Sequence, residues 1–99
     1  MEHAKLLIDL LLQAGYSREA REELNKLQAA IPHDPELMFS MVRLNLHLRE
    51  IKVANEWLQR MRSGSIPSEM RVNLGAAYEI AREYQTASEL YQEALKTGH

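Results

Sequence analysis

Three alanines set the frame for this chain. Ala20, Ala54 and Ala87 are spaced 34 and then 33 residues apart. Each is followed four residues later by a large apolar group: Leu24, Leu58 and Tyr91. The same offsets link Leu7, Met41 and Leu74. A period of this size marks a repeated supersecondary unit that buries its apolar face only against a neighbour. A chain of 99 residues holds three such units, at about 1–34, 35–67 and 68–99. The one-residue deficit before the third unit falls in the turn Ser63-Gly64-Ser65-Ile66-Pro67.

Each unit reads as two helices. The pattern predicts them at about 2–14 and 17–30, 35–48 and 51–62, 68–81 and 84–97. Ser17 and Ser68 are candidate N-caps, able to accept from an orphan amide of the first turn. Asp34 precedes Pro35, which puts a cap before a proline at the first helical position, where its missing N–H costs nothing. Turns are expected at Ala14-Gly15, from Ile31 to Asp34 and from Gly64 to Pro67. No alternating run of β-branched residues supports a strand.

The third unit mixes small and large residues at regular spacing. Two antiparallel helices joined by a short turn approach to about 8–10 Å, which needs small residues at the crossing. Gly75 supplies one on the first helix, and Ala87 and Ala94 supply them on the second. Leu74, Tyr78 and Tyr91 fill the space around them. A helix-interior glycine costs about 1 kcal/mol against alanine, so Gly75 implies a packing demand.

These residues carry a resemblance. Arg71-x-x-Leu74-Gly75-x-x-Tyr78, then Ala87-x-x-x-Tyr91 and Ala94, resembles the tetratricopeptide repeat pattern. Arg71 stands in place of its tryptophan. The first unit matches through Leu7, Leu11, Ala20, Leu24 and Pro32, with Ile8 at the small position. The second matches through Met41, Ala54 and Leu58, with Val42 at the small position and Asn45 in place of the tyrosine. The resemblance implies an all-α fold of three stacked antiparallel helix pairs, a right-handed α-solenoid. It also implies one domain over residues 1–99, belonging to a longer array.

Chemistry is sparse. The chain has no cysteine, so it forms no disulfide, thiol nucleophile or thiolate metal site. It has no His-Glu-x-x-His, phosphate-binding glycine loop or Gly-x-Ser-x-Gly. His3, His33, His47 and His99 are scattered, and Glu19, Glu22 and Glu23 read as a solvated helix face. No catalytic residue, metal or cofactor is assigned, and the chain is read as not an enzyme. A net charge of −2 argues against nucleic acid, whose binders carry a basic stripe. The middle unit alone is mildly basic, through Arg43, Arg49, Lys52, Arg60 and Arg62. The longest apolar run, Leu6 to Leu12, is interrupted by Asp9 and is too short to insert in a membrane. With no signal of its own, the chain reads as cytoplasmic by default. A secreted or bacterial-envelope location would require it to be part of a longer protein.

The resemblance implies protein binding on a concave surface formed by the first helices of the pairs. Mapped onto this sequence, that groove comprises Lys5, Asp9 and Leu12, then Phe39, Arg43, Leu46 and His47, then Val72, Ala76 and Glu79. Leu12, Phe39, Leu46 and Val72 form its expected apolar floor, suited to a partner's helix or extended peptide, with the core between repeats as the other place open to Phe39. The family's carboxylate clamp is not expected. Lys5 fits it, but Asp9 and Ser40 replace asparagines, Glu69 a lysine and Asn73 an arginine. A second expectation concerns the last helix, which is followed only by Gly98 and His99. It should leave Leu90 and Ala94, with part of Tyr91 and Leu95, on an uncapped end face, able to pair with a second copy about a two-fold axis.

Overall fold

The computed structural model describes residues 1–97. Gly98 and His99, which the sequence places after the last helix, lie outside the described residues. Six α-helices follow one another: α1 (Glu2–Ala14), α2 (Ser17–Asn25), α3 (Pro35–His47), α4 (Ile51–Arg62), α5 (Ser68–Ile80) and α6 (Tyr84–Thr97). There is no strand among the described residues. Two compact units divide the chain. Met1–Ser63 holds α1 to α4, and the second unit, from Gly64, holds α5 and α6.

Five helices agree with the expected ranges to within a residue. The exception is α2, which stops at Asn25 instead of near 30. The chain continues in tight turns, with Leu27 donating to Leu24 and Ala30 to Leu27. A short 3₁₀ helix, Ile31–His33, follows. Pro32 has no N–H to give the carbonyl four residues back, so an α-helix cannot be completed through this segment.

The helix starts divide cleanly. Asp34 caps α3: its carboxylate accepts from the amides of Glu36 and Leu37, with Pro35 at the first helical position. Ser17 and Ser68 are not caps. They are the first helical residues, the cap positions belong to Tyr16 and Pro67, and no side chain caps either helix. The extended backbone at Pro67 sets the direction of α5 without a side-chain bond.

The turn inside each pair is closed in one way three times. The amide of Tyr16 reaches back to Leu11, that of Glu50 to Asn45 and that of Glu83 to Tyr78. Just before each sits a residue with positive φ: Gly15 (86°), Arg49 (60°) and Arg82 (65°). This is the left-handed helix ending in which a six-to-one bond satisfies an orphan carbonyl. Glycine suits it, yet two of the three positions hold arginine.

In the first unit α1 packs on α2, α3 on α4, and α3 also packs against both α1 and α2. Its core is Ile8 and Leu12 of α1, Ala20 and Leu24 of α2, Ile31, and Leu37 and Leu44 of α3. Val42, Ala54, Leu58 and Met61 are also buried. In the second unit α5 packs on α6, and Leu74, Tyr78, Ala87 and Leu90 are buried.

Gly75 answers the packing demand directly. A β-carbon placed there would lie 2.7 Å from Cε1 and 2.9 Å from Cδ1 of Tyr91. Across the repeat, this pair aligns with Ile8 and Leu24 and with Val42 and Leu58. Where the first helix keeps a branched side chain, the second carries leucine. Where the second carries a tyrosine ring, the first has nothing.

Candidate functional site

Two surfaces bear on function, one in each unit. The first is the α1–α3 face. Asp34 and Glu36 stand at the start of α3, and Lys5 on α1 pairs with both, at 2.8 and 3.1 Å. One turn further along α1, Asp9 pairs with Arg43 of α3 and accepts from Gln13 at 2.9 Å. The guanidinium of Arg43 lies 5.6 Å from the centre of the Phe39 ring, within cation–π range.

The electrostatics follow from these pairs. Hydrogen bonds to Asp34 and then Glu36 push the Lys5 ammonium well above its ordinary range. Partial burial of Asp34 opposes ionisation. The Lys5 bond and the Leu37 and Glu36 amides outweigh it and hold the carboxyl below its usual value. Desolvation, then the neighbouring Arg43 charge, lowers His47.

Of the ten expected groove residues, Lys5, Asp9, Phe39 and Arg43 share this face, but Lys5, Asp9 and Arg43 are paired with one another or with the start of α3. Leu12 and Leu46 are not a floor. Both are buried, Leu12 among the core side chains of α1, α2 and α3. The mapping from the resemblance puts them on the right helices, but both side chains turn to the interior and not to a groove. His47 is exposed at the end of α3. In the second unit Val72 and Glu79 are exposed and Ala76 is half-buried.

The second surface is a cleft of about 370 Å³ between α5 and α6. Ser68, Glu69 and Val72 line it from α5, and Tyr91, Ala94 and Leu95 from α6. Its wall is mainly apolar. Val72 is 46% and Leu95 70% exposed. The ring of Tyr91 is held in place at both ends. It lies against Gly75, and its hydroxyl donates to Glu79 at 2.7 Å. Near the start of α5, Arg71 donates to the carbonyl of Ile66 at 2.8 Å and approaches Glu93 of α6 at 3.5 Å. Arg71 thus ties the incoming turn to both helices.

The expected end face needs one correction. Leu90 is fully buried. Ala87, Leu90 and Ala94 fall on one stripe of α6, at i, i+3 and i+7, and that stripe faces inward. Ala94 is buried too and Tyr91 half-buried, both lining the cleft, and Leu95 is its exposed apolar rim.

No group of three or more His, Cys, Asp or Glu among the described residues is placed to hold a metal ion. No helix among them is long and apolar enough to cross a membrane. Comparison with known protein families, curated proteins and solved structures found no match to this chain.

Proposed function

We propose that this chain is a non-catalytic protein–protein interaction module of the tetratricopeptide type, which holds a helical segment of a partner protein. The repeat period, the three like helix closures and the Gly75–Tyr91 contact support the family. The observation that carries the function is the contrast between the two surfaces. The charges of the α1–α3 face are spent on one another, so a charged ligand would have to break existing pairs. The α5–α6 cleft is open, apolar and walled by a fixed ring, which suits an amphipathic helix laid along it. Phe39, with Arg43 over its ring, is the secondary contact on the α1–α3 face. Aromatic and arginine side chains of this kind anchor interfaces.

The test is an amide NMR titration with amphipathic helical peptides bearing apolar residues at i, i+3 or i+4, and i+7. Shifts should cluster at Ser68 to Val72 and Tyr91 to Leu95. Shifts confined to other residues, or none with any peptide, would overturn the assignment.

A further inference from the structure

The repeat supplies a template for what the cleft receives. Shifted back by two units, 67 residues, its walls Glu69, Val72, Tyr91, Ala94 and Leu95 correspond to Glu2, Lys5, Leu24, Leu27 and Gln28. In the first unit that surface is already covered by a helix. Leu37 and Leu44 of α3 join Leu24 in the core, and Met38 and Met41 pack against it beside Leu27. The α5–α6 cleft is therefore the surface that α3 occupies on α1 and α2, presented without a helix on it.

A matching helix face is exposed on the same chain. Shifted back by 34, the α3 residues Met41 and Leu44 correspond to Leu7 and Leu10 of α1. Leu7 is 43% and Leu10 51% exposed, and Leu6 beside them is 58% exposed. Large apolar side chains thus stand uncovered on α1 at two of the four positions by which α3 docks, the other two, Leu37 and Met38, corresponding to His3 and Ala4. The polar chemistry of the two surfaces differs. On the first-unit surface Lys5 receives the acidic start of α3 through Asp34 and Glu36. In the cleft that lysine is replaced by Val72, beside Glu69, while α1 keeps an acid, Glu2, at the position of Glu36, so apolar contact and not an ion pair has to carry this docking.

We infer that the cleft takes α1 of a second copy of this chain, head to tail, with Leu7 and Leu10 against Val72, Ala94 and Leu95. This rests on the reading of the cleft as a helix-docking site and names its occupant. The contact is heterologous: each copy uses one surface and offers the other. Such an interface adds copies in a row unless the rotation closes a ring. The two-fold pairing suggested by the sequence would instead use one surface twice.

The two arrangements separate by mixing. Leu10→Glu spoils the donor helix and leaves the cleft intact. Leu95→Glu spoils the cleft and leaves the donor helix intact, with Val72→Glu as a second cleft variant. Both changes are at exposed positions, and circular dichroism checks that each fold is kept. In sedimentation velocity from micromolar to near-millimolar protein, the wild type should grow with concentration and each variant should stay monomeric. An equimolar mixture of Leu10→Glu and Leu95→Glu should form a species of two chains that grows no further. A wild type monomeric throughout, or variants that associate like the wild type, would overturn the inference, as would a mixture that fails to pair. If peptides still shift the cleft amides while the wild type stays monomeric, the docking site stands and the occupant is another protein's helix. If neither binds, both readings fall.

Discussion

Gly75→Ala isolates the contact that organises the second unit. Two effects of opposite sign compete. Alanine improves the helix interior by about 1 kcal/mol over glycine. The added methyl would sit 2.7 and 2.9 Å from two ring carbons of Tyr91, well inside ordinary contact. The ring is not free to swing away, because its hydroxyl is held by Glu79 of the same helix as Gly75. Overpacking of this kind costs about 1–3 kcal/mol. The net expectation is a loss of about 1 kcal/mol, read from urea midpoints at unchanged slope. The decisive measurement repeats the change in a Tyr91→Leu background, where residues 75 and 91 become alanine and leucine, close to the Val42–Leu58 pairing. There the clash is gone and Gly75→Ala should stabilise by up to about 1 kcal/mol. The sign of one substitution thus reverses with its neighbour. Effects that add to within about 0.5 kcal/mol would show that the ring does not require the glycine.

Asp34→Ala removes a helix cap and should cost about 1 kcal/mol or slightly more in thermal or urea unfolding, while Asp34→Asn, which keeps an acceptor oxygen, should cost less. Arg82→Gly and Arg49→Gly each relieve a left-handed backbone that disfavours a β-carbon. Each should stabilise by a few tenths to about 1 kcal/mol, offset in part by the looser unfolded chain, and a loss would mean the arginine side chain matters more than its backbone. Acid should weaken the fold in two steps. His47 is held below its ordinary value, so as pH falls below about 6.5 the unfolded chain takes a proton that the folded one refuses, and stability declines. Asp34 is also held low, so its contribution is complete above about pH 4 and is lost below it. His47→Gln should flatten the first step alone in a pH series of urea midpoints.

Much of the helical plan was legible because it depends on local chemistry. Asp34-Pro35 announces the start of α3 by a cap and a fixed φ, and Gly15 announces the end of α1. The α2 terminus was not legible. Apolar periodicity runs on through Leu27 and Ala30, and these residues do pack against the core, but from tight turns. Periodicity reports which side chains are inside, not which hydrogen bonds place them there. The arginines at positive φ were hidden for a related reason. Arg49 and Arg82 carry no local preference for that conformation, and only their repeat alignment with Gly15 exposes them.

The candidate surfaces were legible by helix and misjudged by which stripe of each helix faces out. Leu12, Leu46 and Leu90 were placed on open faces and are buried, whereas Leu7 and Leu10 are open and Leu95, expected to be partly so, is mostly exposed. A leucine-rich helix such as α1 offers apolar residues on all but the Lys5–Asp9–Gln13 stripe, so composition cannot say which of them finds a partner. Pairwise sizes can. Ile8, Val42 and Gly75 occupy one repeat position and their partners are Leu24, Leu58 and Tyr91, so volume is traded across the helix pair. That trade explains why the small position need not be small in every repeat, and why the third repeat, with its ring against a bare backbone, carries most of the tetratricopeptide resemblance. It also bears on the cleft. The ring that fills the space over Gly75 is the same ring that walls the cleft, so one substitution at residue 91 alters both packing and docking. Cleft function is therefore better probed at Val72 and Leu95, whose exposed side chains touch the opening without supporting the helix pair.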